Sequence, residues 1–291
     1  MPSDLAADLS HNALLAISGD DAAAFLQAQL TNDVAALEPG MAQWSGWCSA
    51  KGRLLATFLL VRRAEGFLLM LPAEIAAPIA KRLAMFVLRS KVKIADVSGQ
   101  YARRGIIGSR GEPQPMRVLE KDGEIVVGLD AGRFIALMPP DKAPAANAAV
   151  DAWELASIRA GVPIVTAATQ EAFVPQMANF ELVGGVSFKK GCYPGQEIVA
   201  RTQYRGILKR RMALAHLAGT ERPQPGQSVY SSAFGDQAAG TIVNAAPAPG
   251  GGFDLLVVAQ VDGLARRDLR WNAPDGPLLE ILEHPPLAKA S

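Results

Sequence analysis

Eight consecutive residues, 190–197, read Lys-Gly-Cys-Tyr-Pro-Gly-Gln-Glu and concentrate reactive and turn-forming residue types. Cys192 supplies a thiol, and Lys189 and Lys190 place two ammonium groups within three residues of it. Pro194 is well suited to be the first residue of a helix. Positive charge and the amino end of a helix both favour the thiolate, which is the nucleophilic and metal-binding form of cysteine. The pattern therefore predicts a reactive cysteine close to a helix start.

The residues before the motif suggest how the thiol is presented. An apolar run from Val183 to Phe188 is typical of a strand, so Cys192 is expected at a strand-to-helix turn. A lone cysteine is more often a small, inert core residue, and this alternative stays open.

Positive charge is concentrated in and after the motif, where the sequence contains seven cationic residues and one acidic residue, Glu197. The cations are Lys189, Lys190, Arg201, Arg205, Lys209, Arg210 and Arg211. Such an excess fits a small anion, nucleic-acid phosphates or an acidic protein surface, and it also fits a solvated face. Nucleic acid ranks behind a small anion, because few aromatic residues are interleaved with the charges.

Composition narrows the function classes. The chain has 291 residues, 49% of them hydrophobic and 20% charged, with a formal net charge of +1. This balance predicts a soluble protein of two or three domains and does not call for an anionic partner of the whole chain. Cys48 and Cys192 are too few and too distant for a disulfide framework or a paired metal motif. With no membrane-spanning run and no signal peptide, we expect a monomer in the reducing cytoplasm.

Periodicity predicts the elements that position the motif. Helical spacing of apolar residues follows Asp20, and helices are also expected over 74–88 and 150–160. Two strands joined by a Lys-Gly-Arg turn at residues 51–53 precede the second of these helices. From Met212 onward, short alternating strands separated by Gly and Pro turns predict a small β-barrel.

Residues 190–197 resemble the signature of the YgfZ family, Lys-Gly-Cys-(aromatic)-x-Gly-Gln-Glu. Members of this family are folate-binding proteins that assist iron–sulfur cluster enzymes. Residues 25–34, Phe-Leu-Gln-Ala-Gln-Leu-Thr-Asn-Asp-Val, are similar to a second family block, with Ala28 in place of its glycine. Residues 173–176, Phe-Val-Pro-Gln, and Asn179 match a third block. The three blocks keep the family's order and spacing.

The resemblance implies an α+β fold, namely a three-domain aminomethyltransferase-like ring with a ferredoxin-like module and a C-terminal β-barrel. The implied domains are a discontinuous folate-binding domain (1–46 plus 148–208), the ferredoxin-like module (47–147) and the barrel (209–291). A central pocket would hold tetrahydrofolate or a related folate, with Cys192 near its mouth.

Candidate site residues follow from the motif and the resemblance. Cys192 and Lys190 form the candidate working pair. The candidate folate-binding residues are Asn32, Asp33, Trp47, Arg159, Gln176, Asn179, Tyr193, Gln196, Glu197 and Arg201. For Asn32 and Asp33 the alternative is capping of a helix end, and for Gln176 and Asn179 it is hydrogen bonding within a loop.

Two positions depart from the folate enzymes that the family resembles. Arg159 replaces a glutamate that binds the pterin ring, and it could instead meet the carboxylates of a folate tail. The catalytic aspartate of the aminomethyltransferases has no counterpart, because the nearby acid, Glu74, comes too early. Whether the chain is an enzyme stays open, and the missing acid favours a protein without a reaction of its own.

The leading hypothesis is an accessory protein that binds tetrahydrofolate and supports assembly or repair of iron–sulfur enzymes, including tRNA-modifying ones. Its partners would be folate and iron–sulfur enzymes or assembly proteins. One alternative is a folate-dependent one-carbon transferase or demethylase that uses Cys192. A second is an RNA-binding regulator acting through Lys209, Arg210 and Arg211.

Overall fold

The structure is a computed structural model that describes residues 4–109, 112–205 and 208–282. Its strands, in chain order, are β1 (Leu5–Asp8), β2 (Asn12–Ser18), β3 (Met41–Cys48), β4 (Leu54–Arg63), β5 (Gly66–Pro72), β6 (Lys93–Asp96), β7 (Ala102–Ile107), β8 (Val118–Lys121), β9 (Glu124–Gly128), β10 (Arg133–Met138), β11 (Arg210–Leu217), β12 (Ser228–Tyr230), β13 (Gly240–Pro247), β14 (Phe253–Gln260), β15 (Arg270–Trp271) and β16 (Leu279–Leu282). Its helices are α1 (Ala22–Gln29), α2 (Ala73–Ala84), α3 (Val150–Arg159), α4 (Gln196–Arg205) and α5 (Val261–Arg266).

The chain forms two compact units. Unit 1 takes the described residues of 1–47, 56–153 and 189–194, and unit 2 takes those of 48–55, 154–188 and 195–291. The motif at residues 190–197 therefore begins in unit 1 and continues in unit 2. The division into three domains stays a prediction.

Unit 1 is built on two five-stranded sheets, ordered β3-β4-β5-β2-β6 and β1-β7-β10-β9-β8. The first eight residues of β4 and all six of β10 are buried, which explains why these strands read as continuous apolar runs. The predicted order of two strands, a helix and two strands is present as β4, β5, α2, β6 and β7. Its last two strands lie in different sheets, because β6 pairs with β2 while β7 pairs with β1 and β10.

Unit 2 contains a curled six-stranded sheet, ordered β15-β12-β13-β14-β11-β16. An isolated antiparallel bridge links Arg270 of β15 to Leu278, the residue before β16, so the two edge strands of this sheet come close together. Val229, Ile242, Leu255 and other buried side chains of alternating strand positions fill its interior. The alternation that predicted short C-terminal strands therefore reflects one face packed on this core.

The strand predicted over residues 183–188 is wrong. These residues are irregular, and local turns hold the preceding chain: Gly184 N donates to Glu181 O at 3.2 Å, and Gly185 N donates to Phe180 O at 2.8 Å. Helix α4 begins at Gln196, two residues after the predicted start at Pro194. The apolar residues of this run therefore lie in turns and irregular chain. Periodicity cannot distinguish such a segment from a short strand.

Among the described residues, the structure has no helix with both the length and the apolar composition needed to cross a bilayer.

Candidate functional site

The predicted site residues fall into two groups, one in each unit. Unit 1 contains Asn32, Asp33, Trp47, Lys190, Cys192 and Tyr193. Unit 2 contains Arg159, Gln176, Asn179, Gln196, Glu197 and Arg201.

The segment after α1 is a turn held by side-chain hydrogen bonds. Gln27 Nε2 donates to Asp33 Oδ1 at 3.0 Å, and Gln27 Oε1 accepts from the backbone N–H of Val34 at 2.7 Å. Asn32 Nδ2 donates to the carbonyl of Trp44 at 2.9 Å. Through these contacts Asn32 and Asp33 stabilise the turn at the end of α1. This agrees with the simpler of the two interpretations, in which they cap a helix end. Any contact of theirs with a ligand stays a prediction.

Lys190 is a buried cation that binds the end of α1. Its side chain is 7% exposed, and its Nζ donates to the carbonyls of Gln27 and Leu30, both at 2.5 Å. A helix leaves its last carbonyls without partners inside the helix and carries partial negative charge there, so an ammonium group stabilises this end. Burial lowers the pKa of Lys190 from 10.5 to about 8, and the charge of Asp33 opposes that shift.

Lys190 also contacts Tyr193 within the motif. Its Nζ lies 5.1 Å from the centroid of the buried Tyr193 ring, a favourable cation–π distance. Between these two inward-facing residues, Cys192 is exposed and is a free thiol. The motif thus holds one side chain on each side of Cys192 inside unit 1 and leaves the thiol accessible. The ammonium of Lys190 is directed at carbonyl oxygens of α1, which the charge pattern alone did not predict.

Trp47 is fully buried in unit 1. Its ring packs edge-on against Phe86 at a centroid distance of 6.1 Å, and the guanidinium carbon of Arg82 lies 5.6 Å from the ring centroid. Its Nε1 has no hydrogen-bond partner. Trp44, on the same strand, is also buried. Both tryptophans are therefore core residues, and a ligand role for Trp47 stays a prediction.

In unit 2 the second half of the motif packs on the Lys-Gly-Arg turn at residues 51–53. Gly195 has φ +79°, and an added Cβ would lie 2.4 Å from Ser49 O and 2.5 Å from Gly52 Cα. Only glycine permits so close an approach of two backbones in this conformation. Arg53 Nη1 donates to the carbonyls of Glu171 and Ala172 at 3.1 and 2.7 Å. The turn therefore joins the motif to the segment that carries the third family block.

Gln176 and Asn179 are buried in unit 2 and use only part of their hydrogen-bonding capacity. Gln176 Nε2 donates to Val199 O at 2.7 Å, and Asn179 Nδ2 donates to Met212 O at 2.9 Å. The amide oxygen of each side chain is buried without a partner. Loop hydrogen bonding thus accounts for their donors, while two acceptors are left for groups that donate.

Arg159 is engaged inside unit 2. Its Nε and Nη2 lie 2.8 and 2.7 Å from Asp254 Oδ2, and Asp254 is 3% exposed. His216 Nδ1 lies 2.8 Å from the other oxygen of Asp254. A buried carboxylate needs such partners, so Arg159 here neutralises a charge on β14. Contact of Arg159 with a folate tail stays a prediction.

The remaining candidates lie on α4, which begins at Gln196. Glu197 and Arg201 are exposed on this helix. The basic stretch is partly used within the protein, because Lys190 binds carbonyls and Arg211 pairs with Glu181 at 2.5 Å. The side chain of Arg205 lies outside the described residues.

Two important residues were not among the candidates. Gln27 organises the turn that Lys190 binds, and Asp254 holds Arg159. Gln27 lies within the second family block, which was the available signal. No sequence signal pointed to Asp254, because its pairing with His216 depends on the register of β11 with β14.

Known proteins resemble this chain in family, in sequence and in fold. Residues 5–136 match the family model of the GCVT N-terminal domain. The tRNA-modifying protein YgfZ of Vibrio vulnificus is 32% identical over 247 residues, covering 78% of this chain and 74% of that protein. Proteins of the same description from Cronobacter sakazakii and Escherichia coli O157:H7 are 31% and 32% identical, and the matches cover 75% of this chain and 72% and 73% of theirs. The chain belongs to the YgfZ family. The resemblance drawn from the motifs is confirmed.

The fold prediction is also confirmed. The crystal structure of the glycine cleavage system aminomethyltransferase T from Bartonella henselae superposes with a TM-score of 0.77 at 16% identity, covering 98% of this chain and 86% of that one. At this identity the likeness establishes the aminomethyltransferase-like α+β fold and leaves the activity open.

Proposed function

We propose that this YgfZ-family protein binds tetrahydrofolate and supports the assembly or repair of iron–sulfur enzymes, including enzymes that modify tRNA. The observation that carries the proposal is the accessible Cys192, held between the inward-facing Lys190 and Tyr193. Its relatives are described as tRNA-modifying proteins. An exposed thiol on a fixed loop suits transient contact with a metal cluster or with a client protein's sulfur.

Unit 2 offers groups that fit a pterin. A pterin ring presents N–H groups, and Gln176 and Asn179 each present a buried amide oxygen without a partner. Arg201 is exposed and could pair with a carboxylate of the folate tail. Bound tetrahydrofolate would supply a reduced pterin that carries one-carbon units. The residues named here would bind and orient it.

An accessory role is favoured over one-carbon transfer by the start of α2. The acid in its first turn is Glu74, which immediately follows the first helical residue. No aspartate stands in this helix to match the catalytic acid of the aminomethyltransferases. Without such an acid, α2 supplies no aspartate to move a proton on the folate.

Calorimetry with tetrahydrofolate tests the folate half of the proposal. We expect saturable binding by the full chain, weakened about tenfold or more in Gln176→Leu, because a buried acceptor for the ligand is lost. Cys192→Ala is the matched control and should bind folate normally. Absence of binding heat at high micromolar protein would remove the folate claim.

Complementation tests the thiol half. In a strain that lacks its own copy, the content of tRNA nucleosides made by iron–sulfur enzymes should recover with the wild-type chain and with Cys48→Ala. It should not recover with Cys192→Ala or Cys192→Ser. Full recovery with both Cys192 variants would show that the thiol is dispensable and would contradict this half of the proposal.

A further inference from the structure

An exposed apolar surface surrounds the end of α2 in unit 1. Among the described residues, three of the nine large apolar side chains that are exposed lie within four positions: Met85 at 62%, Phe86 at 43% and Leu88 at 88%. The segment is ordered, since Phe86 N donates to Leu83 O at 3.0 Å and Ser90 N donates to Val87 O at 2.8 Å. An exposed apolar cluster of this kind is typical of an interaction surface.

A cavity of about 930 Å³ lies beside this cluster, between α1 and residues 86–90. Phe25, Phe86 and Leu88 give it an apolar lining. Gln29 also lines it, is 9% exposed, and has an amide oxygen without a hydrogen-bond partner. The cavity can therefore accept an apolar side chain.

The rim of the surface is basic. Residues 75–95 contain no acid, and their five cations are exposed: Lys81, Arg82, Arg89, Lys91 and Lys93. Lys91 pairs with Asp20, and both side chains are 77% exposed, so the pair contributes little. Asp21 lines the cavity, and its carboxylate accepts from the backbone N–H of Lys91 at 2.7 Å. The five cations outnumber Asp20 and Asp21, so the net positive charge of this region complements an acidic partner.

We infer that this surface, formed by Met85, Phe86, Leu88, Arg89 and the α1 cavity, docks an acidic protein segment that inserts an apolar side chain into the cavity. The inference does not depend on the folate or thiol proposals. Leu88 has φ +47°, a conformation that costs energy for a residue with a side chain. A glycine would adopt it freely, so Leu88→Gly removes the side chain without a conformational cost.

A protein segment fits better than nucleic acid or lipid. Bases stack on exposed aromatic rings, whereas the two most exposed apolar side chains of this surface, Met85 at 62% and Leu88 at 88%, are flexible and not aromatic. A bilayer covers a broad apolar face, whereas the exposed apolar side chains of this surface span four positions beside one cavity. A peptide supplies an apolar side chain and acidic neighbours together.

The test uses a fluorescein-labelled decapeptide, Glu-Asp-Glu-Leu-Asp-Phe-Glu-Leu-Asp-Glu, with fluorescence polarisation on the full chain. Two matched peptides replace either the Leu and Phe residues with Ser or all acids with Lys. We expect saturable binding of the first peptide that weakens with added salt, and at least about tenfold weaker binding of the other two. The Met85 methyl resonance, assigned with Met85→Leu, should shift on binding.

Variants locate the binding. Leu88→Glu and Arg89→Glu should each weaken the first peptide about tenfold or more. Leu119→Glu, at a leucine that is 48% exposed on β8, is the control and should bind as wild type. Leu88→Gly should lose binding while its thermal midpoint does not fall, which separates loss of the surface from loss of the fold.

Several results would overturn the inference. These are no binding tighter than about 1 mM, equal binding of the serine peptide, no Met85 shift, or full binding by Leu88→Glu. It would also be overturned if anionic phosphatidylglycerol vesicles or a transfer RNA bound this surface, with loss in the same variants, while the peptide did not.

Discussion

Replacing Lys190 with methionine should destabilise unit 1, and the size of the effect should depend on pH. Methionine fills a similar volume but cannot donate to the carbonyls of Gln27 and Leu30, which Lys190 Nζ contacts at 2.5 Å. Those carbonyls lie at the end of α1, so that end loses its cap. We expect the last turn of α1 to open more often.

Two opposing terms set the magnitude at neutral pH. A hydrogen bond to a charged group contributes roughly 1.5–3 kcal/mol, so two contribute about 3–6 kcal/mol. Burial of the charge, seen in the pKa of Lys190 falling from 10.5 to about 8, costs about 3 kcal/mol. The loss in Lys190→Met is therefore up to about 3 kcal/mol, because methionine lacks the hydrogen bonds and also avoids the burial cost.

The direction of the pH dependence follows from the same shift. In the folded protein Lys190 releases its proton near pH 8, whereas in the unfolded chain it keeps the proton up to about 10.5. Between these values the unfolded state binds more protons, so the stability of the wild type rises with pH. From pH 7 to pH 9 this gain is about 1 kcal/mol. Lys190→Met lacks it, so the difference between the two proteins should widen.

Urea unfolding followed by tryptophan fluorescence at pH 7, 8 and 9 measures this difference, and hydrogen exchange of peptides covering α1 locates it. Lys189→Met removes the neighbouring, exposed lysine and is the control, with little expected change. A difference that stays constant or narrows from pH 7 to pH 9 would refute the buried ammonium. Unchanged exchange in α1 would refute its role as the cap.

Three further predictions concern single sites. Gly195→Ala should cost more than about 2 kcal/mol of stability in thermal unfolding, because its Cβ would meet Ser49 O at 2.4 Å; Gly191→Ala, with open space, should be nearly neutral. Arg159→Glu should place two carboxylates together and cost about 3 kcal/mol, and Asp254→Asn in the same chain should recover part of it. Burial raises the pKa of the Cys48 thiol to about 12, so iodoacetamide at pH 8 should leave it unmodified until the chain unfolds, as read by mass spectrometry.

Much of the fold was contained in local sequence pattern. The helical spacing after Asp20 and the alternation after Met212 correspond to α1 and to the curled sheet, because each element buries one face and so repeats its apolar residues. The turn-forming residues of the motif likewise predicted a helix, which begins at Gln196. An accessible cysteine in that motif was also expected, and Cys192 is exposed.

Side-chain direction and long-range pairing were decided by the tertiary structure. Lys190 was expected to act on the nearby thiol, yet its ammonium binds carbonyls about 160 residues earlier in the chain, because they are the unpaired acceptors that the fold brings to it. Arg159, at the end of α3, found its partner in Asp254 of β14, 95 residues later in the chain, only because the fold brings the two together. A local pattern records which face of an element is apolar. It does not record which distant groups need a partner, and those needs decide where buried charges point.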